Sequence, residues 1–362
     1  MKPRSLYVHV PFCAHLCAYC DFAKVLYEPA WALSYLGELK KEIASFRPEA
    51  LDTIYIGGGT PSVLPVEEIA DLLAFLSPLL APGGEFSFEA NPENFTREKA
   101  EILRRYGVNR LSFGVQSSNP TLLRLMGRHH TFAQAQEAVK IAREAGFDNL
   151  SCDLIYGLPG ESLAILRNDI AALLSFRSEH LSTYCLSVNP GTSFFNEGIQ
   201  EMDQALAADQ YELILASLRK AGYDRYEVSN FAKDGHISRH NLAYWKDEPY
   251  YGAGLGAAGY IDSLRYSNTR NLSAYLKGIR HVEEEAVSVE EDKKYFFLTN
   301  LRLEEGFAFA DYEKRFKSDF RLEYSKPRQE LISQGLLKED GARVYPTDQG
   351  ILLLDRILLA LY

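Results

Sequence analysis

Six times between residues 5 and 221, a short β-branched or aromatic run is followed by a longer stretch with helical spacing. A chain with that rhythm has few architectures open to it. SLYVHV (5–10) precedes WALSYLGELKKEIASF (31–46), and TIYIGG from Thr53 precedes VEEIADLLAFLSPLL from Val66. FSFEA (86–90) precedes TREKAEILRRYG, with Thr96 as its N-cap and Gly107 as its stop. RLSFGVQ (110–116), NLSCDLIY (149–156) and HLSTYCLSV (180–188) precede helical patterns near 132–145, 162–176 and 203–221. Successive strand–helix units demand right-handed crossovers and a parallel sheet. Such a sheet closes into a full or partial barrel, or stays open and doubly wound, and periodicity alone does not choose between them.

In a parallel barrel, chemistry gathers at the C-terminal ends of the strands. Three cysteines follow the first strand and GGGTP (57–61) follows the second. Glu89 and then NPE (91–93) end the third, and Gln116 ends the fourth. Asp153 lies within the fifth strand and Ser187 late in the sixth. One polar mouth is therefore expected.

The rhythm breaks after about Ile199. YDRYEVSNF (223–231) is expected to add a strand, and SRHNLAYWKDEPYYGAGLGAAGY is rich in aromatics and glycine without a period. From about Asp292 the pattern turns helical, and the end runs helix, short hairpin, helix, a winged-helix-like order. Its last helix carries Asp348, Asp355 and Arg356, which favours packing or a lid over DNA reading. The expected division is 1–200, 201–290 and 291–362.

The net charge of −10 argues against wrapping nucleic acid. The start, MKPRSLYVHVPFC, has too short an apolar part for a signal peptide, and no run approaches a membrane span, so a cytoplasmic placement is expected. Five cysteines in 362 residues do not make a disulfide scaffold. Cys152 and Cys185, inside apolar strand-like segments, are expected to be small buried core residues.

Cys13, Cys17 and Cys20 remain, in PFCAHLCAYCDF. Three thiolates are one short of a structural zinc site, which His9 or His15 completes on one reading. A redox pair uses Cys17 and Cys20 and leaves Cys13 over. An iron–sulfur cubane uses all three and leaves one iron without a protein ligand.

C-x3-C-x2-C with Tyr19 before the last cysteine, together with GGGTP after the second strand, resembles the radical S-adenosylmethionine (SAM) superfamily. The ordered segments YVHVPFC, IGGGTPS, FEANPE, RLSFGVQS, MGRHHT, DLIYGLPGES and HNLAYW narrow the resemblance to the oxygen-independent coproporphyrinogen III oxidase-like family, over nearly the whole chain. The resemblance implies an α/β fold: a partial parallel (β/α) barrel of radical SAM type with a C-terminal, mainly helical, winged-helix-like extension. It implies a 4Fe–4S cluster on Cys13, Cys17 and Cys20, with SAM chelating the free iron. It places SAM contacts at Tyr7, Gly58, Gly59, Thr60, Glu89, Gln116, Arg128 and Asp153. Those residue types suit the task. Glycines let backbone approach a ligand, carboxylates in a dry mouth need cationic partners, and Arg128 suits a ligand carboxylate.

Two departures select a branch. The porphyrinogen-decarboxylating oxidases resemble C-x3-C-x2-C-x-C with an N-terminal extension, whereas here Phe22 stands at the fourth cysteine's place and the first strand begins at Ser5. The segment His240-Asn241-Leu242-Ala243-Tyr244-Trp245 is similar to the HNxxYW motif of the heme chaperone branch, HemW. That resemblance implies heme as cargo, with His240, Tyr244 and Trp245 as candidates to hold it. The implied partners are heme-accepting client proteins and an electron donor such as flavodoxin or ferredoxin. It implies no nucleic acid, and leaves peripheral membrane association with clients open. His240 has a second reading, a hydrogen-bonded interior histidine among core aromatics, and the adjacent His129 and His130 have two readings, porphyrin-facing or structural and SAM-shell residues. GAGLGAAGY (252–260) is either porphyrin-side lining or a tight loop, and no βαβ unit makes it a dinucleotide fingerprint. The alternative function is the oxidative decarboxylation to protoporphyrinogen IX, or another radical SAM reaction. No catalytic residue is assigned.

Overall fold

The structure is a computed structural model that describes residues 2–362. The six strand–helix units form as β1 (Ser5–Val10), α1 (Pro29–Phe46), β2 (Leu51–Gly58), α2 (Val66–Leu76), β3 (Leu80–Ala90), α3 (Arg97–Arg105), β4 (Arg110–Gln116), α4 (Phe132–Glu144), β5 (Leu150–Tyr156), α5 (Leu163–Leu174), β6 (His180–Cys185) and α6 (Gln204–Lys220). The caps follow the side chains. Thr96 accepts a hydrogen bond from the Lys99 N–H, and Gly107 takes a left-handed φ of 86° just past α3. Thr131 and Gln134 close a capping box at α4.

Strands β1 to β6 lie side by side in chain order, all parallel. The stretch 223–231 differs from the single expected strand. It folds as two short strands, β7 (Asp224–Arg225) and β8 (Asn230–Ala232), with β8 antiparallel to β6 and β7 on β8. The Glu227 carboxylate bends the chain between them by accepting from the Ser229 N–H and the Asn230 amide. On the other edge, β9 (Tyr251–Ala253) adds parallel to β1. Among the described residues the ladder does not return from β7 to β9, so the barrel is partial.

Alternation along the strands separates two faces. Ile54, Ile56, Phe86, Phe88, Leu111, Phe113, Leu150 and Leu154 are buried in the core that the helices cover. Their neighbours point to the concave side and are polar. Cross-strand hydrogen bonds join Tyr55 to Glu89, Ser112 to Asp153 and Ser151 to His180. An inner face this polar is stable only when its groups find partners, and it is where a ligand finds chemistry.

Beyond the barrel, β10 (Ala258–Ile261), β11 (Leu264–Asn268) and β12 (His281–Ala286) make an antiparallel sheet. A second hydrophobic core runs from Phe296 to Leu361, built on Phe297, Phe307, Tyr312, Phe320 and Val344. Its small sheet joins β13 (Phe307–Ala308), β14 (Leu337–Glu339) and β15 (Arg343–Pro346), with β15 central. Asp348 docks this unit on the barrel. It receives two hydrogen bonds from Arg219, at 2.8 and 3.0 Å, and one at 2.8 Å from the buried Arg225. That is a packing role.

Candidate functional site

The loop after β1 carries Cys13, buried, with Cys17 and Cys20 half-buried. Its two ends are stitched together by a short parallel pairing of Phe12–Cys13 with Val25–Leu26. The GGGTP turn after β2 is bound to the same loop. The Gly59 N–H donates to the Val10 carbonyl at 2.9 Å and the Thr60 N–H to the Phe12 carbonyl at 2.8 Å. A Cβ on Gly59 would fall 2.7 Å from the Pro11 carbonyl, closer than real contacts allow. Gly58 has φ 115°, and a Cβ there would fall 2.6 Å from the His9 ring. These glycines bring two loops into backbone contact around the thiols.

A cavity of roughly 350 Å³ opens between the loops and the strand ends. It is lined by the three cysteines and by Gly58, Gly59, Thr60, Glu89, Gln116, Arg128 and Asp153. Tyr7 is not among its lining residues. It stands in register with Tyr55, and its hydroxyl reaches His9 Nδ1 at 3.0 Å. A larger cavity, roughly 540 Å³, lies between the barrel and the C-terminal unit and holds no thiol. There Lys246 and Arg343 both pair with Glu305.

Glu89 Oε1 accepts from the Tyr55 hydroxyl at 2.7 Å and Oε2 from the Gly58 N–H at 3.1 Å. Enclosure nevertheless pushes its carboxyl up to about 7. Asp153 accepts from Ser112 at 3.2 Å and is pushed up to about 6, again by burial. Arg128 is buried. Its Nη2 donates to Asn91 Oδ1 at 2.9 Å and to the Gly114 carbonyl at 2.6 Å, and Nη1 stands 3.7 Å from the Cys17 sulfur. Its Nε and Gln116 Oε1 are buried without a hydrogen-bond partner in the protein. Such orphans each cost about 1–3 kcal/mol. Gln116 also holds a left-handed φ of 67°, a strain that sites tend to keep. Unpaired donor, unpaired acceptor and two carboxylates with raised pKa fit a ligand carrying both cation and carboxylate.

The alternatives for the thiols fare worse. His9 has both ring nitrogens occupied, Nε2 donating to the Ala23 carbonyl at 2.7 Å and Nδ1 accepting from Tyr7. His15 stacks on His129 with ring centroids 3.7 Å apart. Among the described residues, no group of three or more His, Cys, Asp or Glu is placed to hold a single metal ion. A tetrahedral ion would gather its sulfurs within about 4 Å of one another. A cubane spreads three thiolates over three corners, and all three cysteines are free.

A cationic ligand held against these raised carboxyls would bind in a pH-dependent way. Below their pKa values Glu89 and Asp153 are neutral and attract no cation. SAM affinity is therefore expected to fall roughly tenfold from pH 8 to pH 6, with protons released on binding near pH 6.5. Calorimetry in buffers of different ionisation heat measures both; a flat affinity over this range would contradict the assignment.

The HNLAYW motif lies elsewhere. It forms α7 (Arg239–Trp245), capped by Ser238. His240 Nδ1 pairs with Thr53 Oγ1 at 2.7 Å and Nε2 with the Tyr244 hydroxyl at 2.8 Å. The Glu85 carboxylate accepts from the Arg239 and His240 backbone N–H groups, each at 3.0 Å. Thr53 is the third residue of β2 and Gly58 the last, so His240 sits about 16 Å of strand away from the mouth. Burial pushes its imidazole down to about 3. Trp245 is half-buried, with the Arg302 guanidinium 4.6 Å over its ring. The motif plugs the barrel floor, and neither nitrogen of His240 is open to iron. Both His240 nitrogens are thus engaged within the protein, the arrangement that the interior reading of this histidine describes, with Tyr244 as one of the partners. His130 is also interior, with Nε2 on the Val115 carbonyl at 3.0 Å.

Cys185 departs from expectation too. Cys152 is buried, but Cys185 ends β6, is exposed, and lines the cavity with Tyr184. Asn91, Ser112 and Lys24 are further lining residues that motif reading did not single out as ligands. Ser112 and Tyr184 were detectable by phase, two residues from Gly114 and Ser182 on the concave face. The glycine-rich 252–260 segment is β9, a turn and β10. Gly252 and Gly259 there press against Ala258 and Tyr266, and none of it lines the cysteine cavity.

Residues 7–173 match the radical SAM superfamily, and 287–353 match the HemN C-terminal domain. The heme chaperone HemW of Lactococcus lactis is 40% identical over 358 residues, covering 96% of this chain and 94% of that protein. The chain belongs to the HemW family. HemW of Bacillus subtilis is 37% identical, covering 97% of each chain, and HemW of Escherichia coli 32%, covering 99% of this chain and 98% of that one. Among solved structures, coproporphyrinogen III oxidase HemN of Escherichia coli, a radical SAM enzyme, superposes with a TM-score of 0.86 at 24% identity, covering 99% of this chain and 90% of that one. HemW-family and HemN chains thus share one fold. The radical SAM family implies a 4Fe–4S cluster and SAM, and the cavity described above is the one that the three cysteines line.

Proposed function

We propose that this protein is a heme chaperone, binding heme and passing it to heme-requiring proteins from a radical SAM scaffold. The reading is carried by kinship along the whole chain with heme chaperones, joined to Phe22. That side chain stands at the place where the oxidases resemble a fourth cysteine, and it is 61% exposed beside the cavity. Cys13, Cys17 and Cys20 would hold the cluster, which when bound supplies a one-electron source and an iron open to SAM. Gly58, Gly59 and Thr60 would offer backbone and hydroxyl to SAM. Glu89 and Asp153 would offer negative charge, and Gln116 and Arg128 the unpaired acceptor and donor. Tyr7 would brace this layer through His9.

Residues 1–200 would form the cluster and SAM unit, 201–290 its extension and 291–362 the docked C-terminal unit. A flavodoxin or ferredoxin would supply electrons, and client proteins would take heme in the cytoplasm, at a membrane surface where the client is membrane-bound. Among the described residues no helix is long and apolar enough to cross a membrane.

The test is one anaerobically reconstituted preparation assayed three ways. Hemin is expected to bind near one per chain with a shifted Soret band, and to move to an apo-acceptor. Coproporphyrinogen III is expected to stay unconverted. Multiple turnovers to protoporphyrinogen IX would overturn the chaperone reading in favour of the oxidase.

A further inference from the structure

Heme iron arrives with four nitrogens from its own macrocycle, so a protein needs only one or two donors to hold it, together with apolar surface for the ring. The chain has eight histidines. His9 and His240 have both ring nitrogens in hydrogen bonds, and His180 is buried between Ser151 and Tyr226. His130 is buried against the Val115 carbonyl with Glu93 on its other side. His236 is bonded to the Lys233 carbonyl, and neither of its sequence neighbours, Gly235 and Ile237, is a large exposed apolar side chain. His281 pairs with Glu284 at the head of an exposed strand carrying Glu283, Glu284 and Glu285, a poor seat for the two propionates of heme.

His15 and His129 are left. Both are exposed, and no hydrogen bond engages either ring among the described residues. They stack face to face, centroids 3.7 Å apart and planes 23° apart. Backbone bonding fixes the pairing: the Ala18 N–H donates to the Met126 carbonyl at 3.0 Å, which clamps the cysteine loop onto the turn before His129. Exposed apolar residues stand on the segments joined here: Leu16, 48% exposed, follows His15, and Phe195, 49% exposed, follows Phe194, whose N–H donates to the Ala18 carbonyl. Among the described residues no third His, Cys, Asp or Glu joins the pair to complete a site for a bare metal ion.

We propose that the His15–His129 pair supplies the axial ligand for heme iron, seating the cargo porphyrin on the outer side of the cysteine loop. One imidazole takes the iron while the other stacks behind it. In single variants the surviving ring takes over. The inner side of the same segments carries Cys17 and Arg128, so cargo and cluster share one loop. This rests on the heme chaperone reading above.

The experiment titrates hemin into wild type, His15→Ala, His129→Ala, the double variant and His240→Ala, reading the Soret band and affinity. Cluster iron and sulfide content and the SAM-induced change in electron spin resonance serve as the check on loop integrity. Each single variant is expected to bind within a few-fold of wild type. The double variant is expected to lose the ligated Soret band and at least tenfold in affinity while keeping cluster and SAM response, and added free imidazole is expected to restore the band. If the double variant disturbs the cluster, His129→Ala combined with His15→Gln, which keeps a polar side chain in the loop, must still lose the band. An unchanged spectrum and affinity in the double variants overturns the ligand assignment alone, as does loss of the band in His240→Ala only. Absence of any Soret shift in wild type overturns the chaperone reading and this assignment together.

Discussion

Cys17→Ser is expected to strip the reconstituted protein of its brown chromophore, with iron and sulfide falling from about four each per chain to below one. Three thiolates are the whole protein complement of the cluster, so losing one leaves two corners for a cubane that needs three. A serine hydroxyl does not replace the thiolate, because it stays protonated at neutral pH and is a harder donor than iron–sulfur chemistry selects. Burial pushes the Cys13 thiol up to about 11 and raises Cys20 as well, so in the metal-free protein these groups hold their protons, and only iron pulls the protons off. Cys185→Ser is the control. That thiol lines the same cavity, yet stands outside the loop, and its variant is expected to keep full iron and sulfide. Retention of the cubane in Cys17→Ser would sink the assignment, and stoichiometric zinc in its place would restore the zinc reading.

The second large effect is expected from a single methyl group. Gly59→Ala puts a Cβ 2.7 Å from the Pro11 carbonyl carbon and oxygen and 2.9 Å from the Phe12 oxygen. Those are backbone atoms, which cannot swing aside like the tip of a side chain. The turn must back away from the cysteine loop, and the bonds from Gly59 N–H and Thr60 N–H to Val10 and Phe12 lengthen or break. Forced overpacking of this kind costs about 1–3 kcal/mol. If the displacement falls on the bound state, SAM affinity drops about tenfold to a hundredfold. The cysteines are untouched, so the cluster is expected to assemble, and its resonance to stop responding to SAM. Gly37→Ala, on α1 with nothing within 4 Å of the new methyl, is expected to leave SAM binding unchanged. Normal SAM affinity in Gly59→Ala would remove the glycine turn from the site.

Much of the barrel was legible because its signals are local. Period-two runs and helical spacing depend on residues a few positions apart, and β1 to β6 follow them. The caps at Thr96 and Gly107 are likewise written in single residues. The single strand expected at 223–231 was not legible as a hairpin. Its bend depends on Glu227 capturing two donors that period-two reasoning does not weigh. The positions of Glu89 and Asp153 in their strands also put them at one polar mouth, since chemistry gathers at the strand ends of a parallel barrel. Tyr7 was named by motif resemblance alone, and only the fold shows it in register with Tyr55 with its hydroxyl on His9.

The amino-acid sequence by itself determined a run of parallel strand–helix units, a triad of thiols after the first strand, and a glycine turn able to touch them. Tertiary structure alone decided which end of the barrel each distant motif reached. HNLAYW went to the floor because His240 bonds a threonine 187 positions earlier, and Asp348 became a docking group because Arg219 and Arg225 wait for it on the barrel. Cys185 came to face the cavity, and His15 came to lie on His129. Local propensity acts through neighbouring residues along the chain. The exposure of a side chain and the partner of a polar atom are set by packing between elements far apart in it.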